Sequence, residues 1–419
     1  MISTLKNAWK VEDLRGRIIF TLLMFLIFRL GAHIPIPGIN TESLKNLMSS
    51  GMLGFFDVIS GGAFKRFTVF AMSITPYINA SIIMQLLTVV IPYFEKLSKE
   101  GDEGRKKIVE YTRYGTVVLG FLQAIGMSFF LGKAGALINP SPITYVVIAI
   151  TLTAGTAFLM WLGELITEKG IGNGISLIIF AGIVSGLPKG LFTIYEYVRT
   201  GTSSIIAVFF FFILAIVIIA GVVAINEGQR RIPVQYSKRV VGRRVYGGQT
   251  THIPLRVNQA GVIPVIFAMS ILMFPTTIAS WFPTNAIALW VNNAFGYRSI
   301  LYNVFYGLLI IFFTYFYTAV TFNPVDVADN IKKYGGFIPG IRPGRPTAEY
   351  IDRVLTRLTF AGAIFLAGIA LLPNLIMGFS NMNIYFGGTA LLIVVGVALD
   401  TMKQIESHMM MRNYQGFLK

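Results

Sequence analysis

Apolar residues run through this chain in blocks of roughly 20, not in the short alternations of a half-buried sheet or the one-sided stripes of a surface helix. A helix crossing about 30 Å of hydrocarbon needs about 20 such residues, and that window predicts ten spans. They are Ile18–His33, Phe67–Ile91, Tyr114–Leu131, Ile143–Leu162, Ile171–Leu187, Ile205–Ile225, Ala260–Phe282, Ile300–Phe322, Leu358–Met377 and Ile384–Leu399. The sixth, through VFFFFILAIVIIAGVV, is unbroken, whereas the fifth carries Gly172, Gly174 and Gly182 and its outer end can run on to Tyr197.

Ten spans divide into five and five around the polar stretch Glu196–Ser204, giving halves at residues 1–200 and 201–419. An odd number of spans per half sets corresponding helices in opposite directions, the arrangement of an inverted repeat. This expectation rests on count and topology, because the halves share no residue-level identity.

Composition removes the soluble alternative. Of 419 residues 54% are hydrophobic and 13% charged, against about 25% charged in an average soluble chain. Too few charges remain to cover a soluble protein of this length. The mean hydropathy is +0.68.

Lys and Arg concentrate in alternate connections. With the N-terminus inside, the inner segments hold 27 of the 35 and the outer ones 7, Arg29 lying within the first span. The positive-inside bias therefore predicts both termini in the cytoplasm, and Arg29, near the outer end of its helix, can snorkel. The basic residues ahead of the first span imitate a secretory leader, but GAHIPIPG follows instead of a small-x-small cleavage site, so a retained helix is expected.

Three connections stand out. Segment 34–66 is outer, glycine-bearing and unusually apolar, with Leu44, Leu47 and Met48 at helical spacing. It reads as an interfacial helix or as a re-entrant segment enclosed by protein. The inner loop 226–259 carries Arg230, Arg231, Lys238, Arg239, Arg243, Arg244 and Arg256. Its alternating IPVQYSKRVV and RRVYGGQTTHIPL predict a hairpin with Gly242–Arg244 near the tip. The inner loop 323–357 has a Gly/Pro-rich core around Arg342. Basic loops under a membrane suit anionic lipid, and two of them on one face also suit an acidic macromolecular partner.

Chemistry that would mark an enzyme is missing from the pattern. Cysteine is absent and the three histidines, His33, His252 and His408, are far apart, so no helix-borne metal pair or thiol nucleophile is indicated. GIGNG (170–174) follows no strand and precedes no Lys-Ser/Thr, so it is not a phosphate loop. The spans lack the mid-membrane carboxylates of coupled transport. Their polar groups are neutral, with Thr75 and Asn79 on one ridge of the second span and Ser81, Gln85 and Thr88 on another. Such groups usually pack against neighbouring helices. Pro76, Pro264 and Pro275 are expected to loosen the second and seventh spans.

Several blocks resemble one family specifically. SGGAFKRFTVFAMSITPYINASIIMQLLTVVIP, EGRKKIVEYTRYGT, WLGELITEKGIGNGISLIIFAGIVSGLP, GRRVYGGQTTHIPLRVNQAGVIP and ADNIKKYGGFIPGIRPGRPTAEYIDRVLTRLT are similar to bacterial SecY, the pore-forming subunits of the Sec protein translocase. The resemblance runs from the first span to Asp400.

What it implies is an all-α polytopic membrane protein, ten helices in two inverted halves around a central pore. A pore ring would map to Ile74, Ile78, Ile175, Ile179, Ile266 and Ile393, stiff side chains forming a dewetted constriction. Segment Thr41–Phe64 would be a plug, and the second and seventh helices a lateral gate bearing Thr75, Asn79 and Gln85. Arg243, Arg244 and Arg342 would dock a ribosome or the SecA motor ATPase. SecE-like and SecG-like subunits would accompany the chain, and a secretory preprotein with its signal sequence would be the substrate. No catalytic residue, metal or cofactor is implied, and the location would be a bacterial cytoplasmic membrane. A secondary transporter for a small solute is the alternative of another class, since ten spans and inverted halves suit it too.

Overall fold

A computed structural model describes residues 8–40, 60–201, 205–236, 239–241, 244–246, 250–280, 282, 285–296, 299–379 and 388–416. Its helices are α1 (Glu12–Gly31), α2 (Thr75–Val90), α3 (Pro92–Lys99), α4 (Asp102–Lys133), α5 (Pro142–Lys169), α6 (Gly174–Arg199), α7 (Ile205–Glu227), α8 (Ile263–Ser280), α9 (Ala286–Ala294), α10 (Ile300–Thr321), α11 (Pro324–Lys333), α12 (Arg345–Phe379) and α13 (Gly388–Gly416). The strands are β1 (Gln229–Tyr236), β2 (Arg239–Val241), β3 (Arg244–Tyr246), β4 (Thr250–Arg256) and β5 (Gly336–Phe337). Each predicted span falls on one long helix, and α3, α9 and α11 are short additions.

Boundaries depart from the apolar windows for local reasons. Helices α4 and α12 begin about a dozen residues before their apolar runs, because polar turns continue a helix that an apolar count cannot register. The second span was expected from Phe67, yet α2 starts at Thr75. Residues 60–73 form turns, with Phe67 at φ 46° and Ser73 at φ 52°. Pro76 lies in the first turn of α2, where its missing N–H costs nothing. It starts the helix and does not loosen it. Pro264, the second residue of α8, does the same. Only Pro275 of the three is a true helix interior, joined by Pro188 inside α6. At its far end α2 turns by 97° into α3.

Helix contacts recur in the same order through the chain. α2 packs on α4 as α8 packs on α10, α4 on α5 as α10 on α12, α5 on α6 as α12 on α13, and α1 on α6 as α7 on α13. The two series meet where α2 touches α8 and where α6 touches α7 and α13. One continuous apolar core runs through both series. Aromatic stacking supports it, as Phe70 lies between Phe28 of α1 at 6.2 Å and Phe158 of α5 at 5.9 Å. Helix α7 is the outermost: 11% of its apolar stretch is buried, against 50% in α12. An all-apolar helix left this bare belongs in lipid.

On the polar side, β1 pairs with β4 from Gln229↔Arg256 to Gln235↔Thr250, and β2 with β3 from Arg239↔Tyr246 to Val241↔Arg244. Every pair sums to the same residue total, so one hairpin register runs through both ladders, as the alternation predicted. The other edge of β1 carries β5, with Gln235↔Phe337 and Tyr236↔Gly336. The two basic loops, read separately in the sequence, thus form one body. Its core joins Ile232, Val234 and Leu255 of the sheet to Ile331 of α11, Ile338, and Ile351 and Val354 of α12.

Gly336 makes that junction possible. A Cβ there would stand 2.9 Å from Tyr236 Cε1, 3.0 Å from Ile331 Cγ2 and 3.1 Å from Val234 Cγ1. Gly336→Val should therefore overpack the junction at a cost of about 1–3 kcal/mol. Limited proteolysis should cut loops 226–259 and 323–357 faster in the variant, with the spans unaffected. Equal cleavage would show that β5 does not hold the loops together.

Candidate pore and gate

The six isoleucines come from four helices. Ile74 is the N-cap residue of α2, and the Ile78 amide donates to its carbonyl at 3.1 Å, so the pair stands one turn apart. Ile175 and Ile179 repeat that spacing at the start of α6, whose first turn is fixed by Asn173 Oδ1 accepting from the Ser176 amide at 3.2 Å. Ile266 lies in the first turn of α8 and Ile393 near the start of α13. Ile74, Ile78, Ile179, Ile266 and Ile393 are 0–7% exposed and share one apolar cluster. Ile175 is half-buried and packs against it. Its side chain leans over Gly163 of α5, so it is shared between the cluster and that helix. A cluster of this composition gives ions no ligand.

Thr75 and Asn79 line a cavity of about 20 Å³ between α2, α4 and α8, together with Gln123 of α4 and Ser270 and Thr277 of α8. Phe64 and Met273 supply apolar walls. That volume holds about one water. Gln85 is not among its lining residues. It lies two turns further along α2, half-buried, with Oε1 facing no partner. Gln123 and Ser270 escaped the sequence reading, which weighed polar positions on α2 alone. A lone amide within the span Tyr114–Leu131 was the available signal for Gln123. At the end of this seam where α4 finishes, Lys133 Nζ lies 5.8 Å from the Phe282 ring centroid, a cation–π contact between the two series of helices.

Arg29 does not snorkel. Its Nη1 donates to the Gly61 carbonyl at 2.7 Å and to Ser185 Oγ of α6 at 3.1 Å. Ser60, Ala63 and Phe64 nearby are buried. Residues 41–59, most of the expected plug, lie outside the described residues. Near the start of α4, Arg113 Nε donates to Glu164 of α5 at 2.8 Å.

The GIGNG loop is a structural joint. The Ile171 amide donates to Thr21 Oγ1 of α1 at 3.1 Å, the Gly172 amide to Gln404 Oε1 of α13 at 2.9 Å, and the Gly174 amide to Thr167 Oγ1 of α5 at 2.9 Å. These three N–H groups are already used and are not free to cradle an anion. The bond from Gly172 to Gln404 also ties the first series of helices to the second.

Of the expected docking residues, Arg342 is exposed on a loop shaped by Gly340 at φ 80° and Gly344 at φ 98°. Its carbonyl accepts from Thr347 Oγ1 at 2.9 Å. Arg244 opposes Val241 in the hairpin register, and Arg243 lies outside the described residues. Exposed Arg230, Arg231 and Arg256 share the same sheet. Among the described residues no group of three His, Cys, Asp or Glu side chains could hold a metal ion.

Comparison with known proteins places this architecture. The SecY family model matches residues 68–402. The chain is similar to the protein translocase subunit SecY of Halalkalibacterium halodurans, at 52% identity over the full length of both chains. It is also similar to that of Bacillus subtilis, at 50% over the full length of both. Among solved structures, one described as that of a protein-conducting channel covers 94% of this chain and 92% of its own, with TM-score 0.67 and 21% identity. Sec61 in the canine ribosome–channel complex aligns over 94% of this chain and 92% of its own, with TM-score 0.59 and 18% identity.

The GIGNG joint yields a direct test. Gln404→Ala should leave the Gly172 amide unpartnered at a cost of about 1–3 kcal/mol, lowering the thermal unfolding midpoint of the purified protein. Gln404→Glu keeps the acceptor and should behave nearly as the parent. Equal loss in both variants would remove the hydrogen bond as the cause.

Proposed function

This chain belongs to the SecY family, and on that premise we propose that it is the passive protein-conducting channel of a bacterial translocase. It passes unfolded secretory polypeptides across the cytoplasmic membrane and releases apolar segments sideways into lipid. The observation that carries this reading is the packing of isoleucines from α2, α6, α8 and α13 into one apolar cluster where the two series of helices meet. β-Branched side chains are stiff at χ1. They close tightly on one another, and they offer a passing polypeptide nothing to bind.

Residues 1–200 and 201–419 act as the two halves of a clamshell. Helix contacts repeat in the same order within each, which supports an inverted repeat better than span counting did. The seam between α2 and α8 serves as the lateral gate. Its small cavity, lined by Thr75, Asn79 and Gln123, leaves room for about one water within that interface. Gln85, away from the cavity, then faces a translocating segment or lipid only when the seam parts. The other seam, where α6 meets α7 and α13, stays closed as the hinge.

The basic body formed by β1–β5, α11 and the start of α12 is the docking surface for partners that supply energy. Arg342, Arg243 and Arg244 meet a ribosome or a SecA-like motor there. A solved relative of this fold is described as part of a ribosome–channel complex, which supports the ribosomal option. SecE-like and SecG-like subunits embrace the halves, anionic lipids surround the basic loops, and both termini lie in the cytoplasm. The channel itself carries out no catalysis.

Two experiments test this reading. Ile78→Gly, Ile179→Gly and Ile266→Gly together should raise ion leak through purified channels in liposomes at least tenfold. Unchanged conductance would remove the ring assignment. Arg342→Glu should abolish motor-driven translocation of a preprotein while expression and assembly stay normal. Full translocation by that variant would exclude Arg342 from docking.

A further inference from the structure

The hairpin of the basic body and helix α8 are consecutive in the chain, joined by a short lead-in. On the hairpin's other side, α7 passes into it without a break. The Gly228 amide donates to the Ala224 carbonyl at 2.8 Å and the Val257 amide to the Gly228 carbonyl at 2.9 Å. The second bond continues the register of Gln229↔Arg256 by one step. Residues 258–261 then lie in neither strand nor helix, and α8 starts at Ile263.

Asn258 is the buried amide of that lead-in, 4% exposed. Its Nδ2 donates to Asn226 Oδ1 at 2.7 Å and to the Gly261 carbonyl at 3.0 Å. A backbone carbonyl can only accept, so the orientation of the amide is settled. One bond reaches the last turn of α7, and the other closes residues 258–261 into a turn in which Gly261 lies at φ 63°. The end of α7 is tied in turn to α13, since Lys403 Nζ meets Glu227 Oε1 at 2.9 Å and the Asn226 carbonyl at 3.3 Å. Packing holds the lead-in as well: Ala260 and Val262 are buried, and Val262 leans over Gly396 of α13. Those contacts are apolar and non-directional. Asn258 adds a directional link from the base of the hairpin to the start of α8, and a buried amide of this kind costs free energy unless it is bonded.

We propose that Asn258 is a positioning residue for translocation: it fastens the lead-in of α8 to the end of α7, so that the docking body and the gate helix move as one piece. The proposal rests on the reading of that body as the docking surface and of the α2–α8 seam as the gate. A partner that tilts the hairpin acts on Asn226 and Val257 at its base. Asn258 carries the displacement across residues 258–261 to α8. Without this link the lead-in flexes instead, and α8 stays against α2.

The test uses the full chain, purified with its accompanying membrane subunits and reconstituted in liposomes, with a SecA motor, ATP and a preprotein as the docked partner. Thr75 of α2 and Thr277 of α8 line one cavity, and the chain has no native cysteine. Disulfide formation between Thr75→Cys and Thr277→Cys therefore reports closure of the seam. Docking should slow that disulfide several-fold in the parent. Asn258→Asp is nearly isosteric. Asn226 can turn its amide over to meet the carboxylate, whereas the Gly261 carbonyl cannot donate, so the link to α8 alone is lost. One such bond carries up to about tenfold in a population, so docking should no longer slow the disulfide. Preprotein translocation should fall by a similar factor, with the motor's affinity and the idle ion leak unchanged. Asn226→Ala adds no charge and cuts the other end of the bridge. It should act in the same direction, not additively with Asn258→Asp, and it carries the test alone if Asn258→Asp accumulates poorly. A merely structural role would lower the thermal midpoint and leave the effect of docking on the disulfide intact. That result would overturn the proposal while the gate reading stands. A disulfide that docking leaves unchanged in the parent would overturn the gate reading, and the proposal with it.

Discussion

Everything in this structure follows from having to make a seal without polar groups. A membrane channel closed by hydrogen bonds or ion pairs would carry those groups into the path of its cargo, and each would cost several kcal/mol wherever it lost its partner in a low-dielectric interior. On the reading proposed above, the central cluster of isoleucine, leucine and phenylalanine avoids this by closing through packing alone. Packing between apolar surfaces is short-ranged and loses a quarter to a half of its well depth over a gap of about 0.5–1 Å. Such a seal is tight when the helices are together and nearly free of attraction once they part. That is the mechanical behaviour a polypeptide channel needs.

The core holds few polar groups, and several of the polar interactions that set the geometry lie at its edges. On the polar side the GIGNG joint uses three amides to tie α1, α5 and α13 together. The basic loops are stiffened there by a sheet and a small apolar core. At the opposite end of α1, Arg29 binds the return limb. Between these levels, α2 and α8 share the cavity lined by Thr75, Asn79, Gln123, Ser270 and Thr277. The seam with imperfect filling and weakly polar walls is the one where α2 meets α8.

The ten spans were legible because an apolar run is a direct consequence of the solvent around it, and no tertiary detail is needed to read it. Their boundaries were less so. Pro76 looks the same in the sequence whether it interrupts a helix or begins one; only the turns at Phe67 and Ser73 decide. Strand β5 has two residues, too few to show an alternation, and Gly336 marks it only through what lies above it. Gln123 and Ser270 are single polar residues in apolar helices, so nothing local says which face they share with Asn79. The isoleucine positions came from family resemblance. Their spacing at i, i+4 on α2 and α6 was consistent with many roles, and the fold adds that four helices bring them to one place.

Arg29 shows where the general rule and the particular fold part company. A basic residue near the end of a span belongs at the interface by every local criterion: helix dipole, side-chain length and access to water. Local criteria take no account of the limb that returns from the outer loop and offers a carbonyl at Gly61. Once that carbonyl is present, the guanidinium donates to it and to Ser185 Oγ and becomes the link between a loop and two helices. The bond thus joins elements that the apolar core also packs together, through Phe28 of α1, Ala63 of the limb and Ile183 of α6, and adds to that packing a direction that apolar contacts lack.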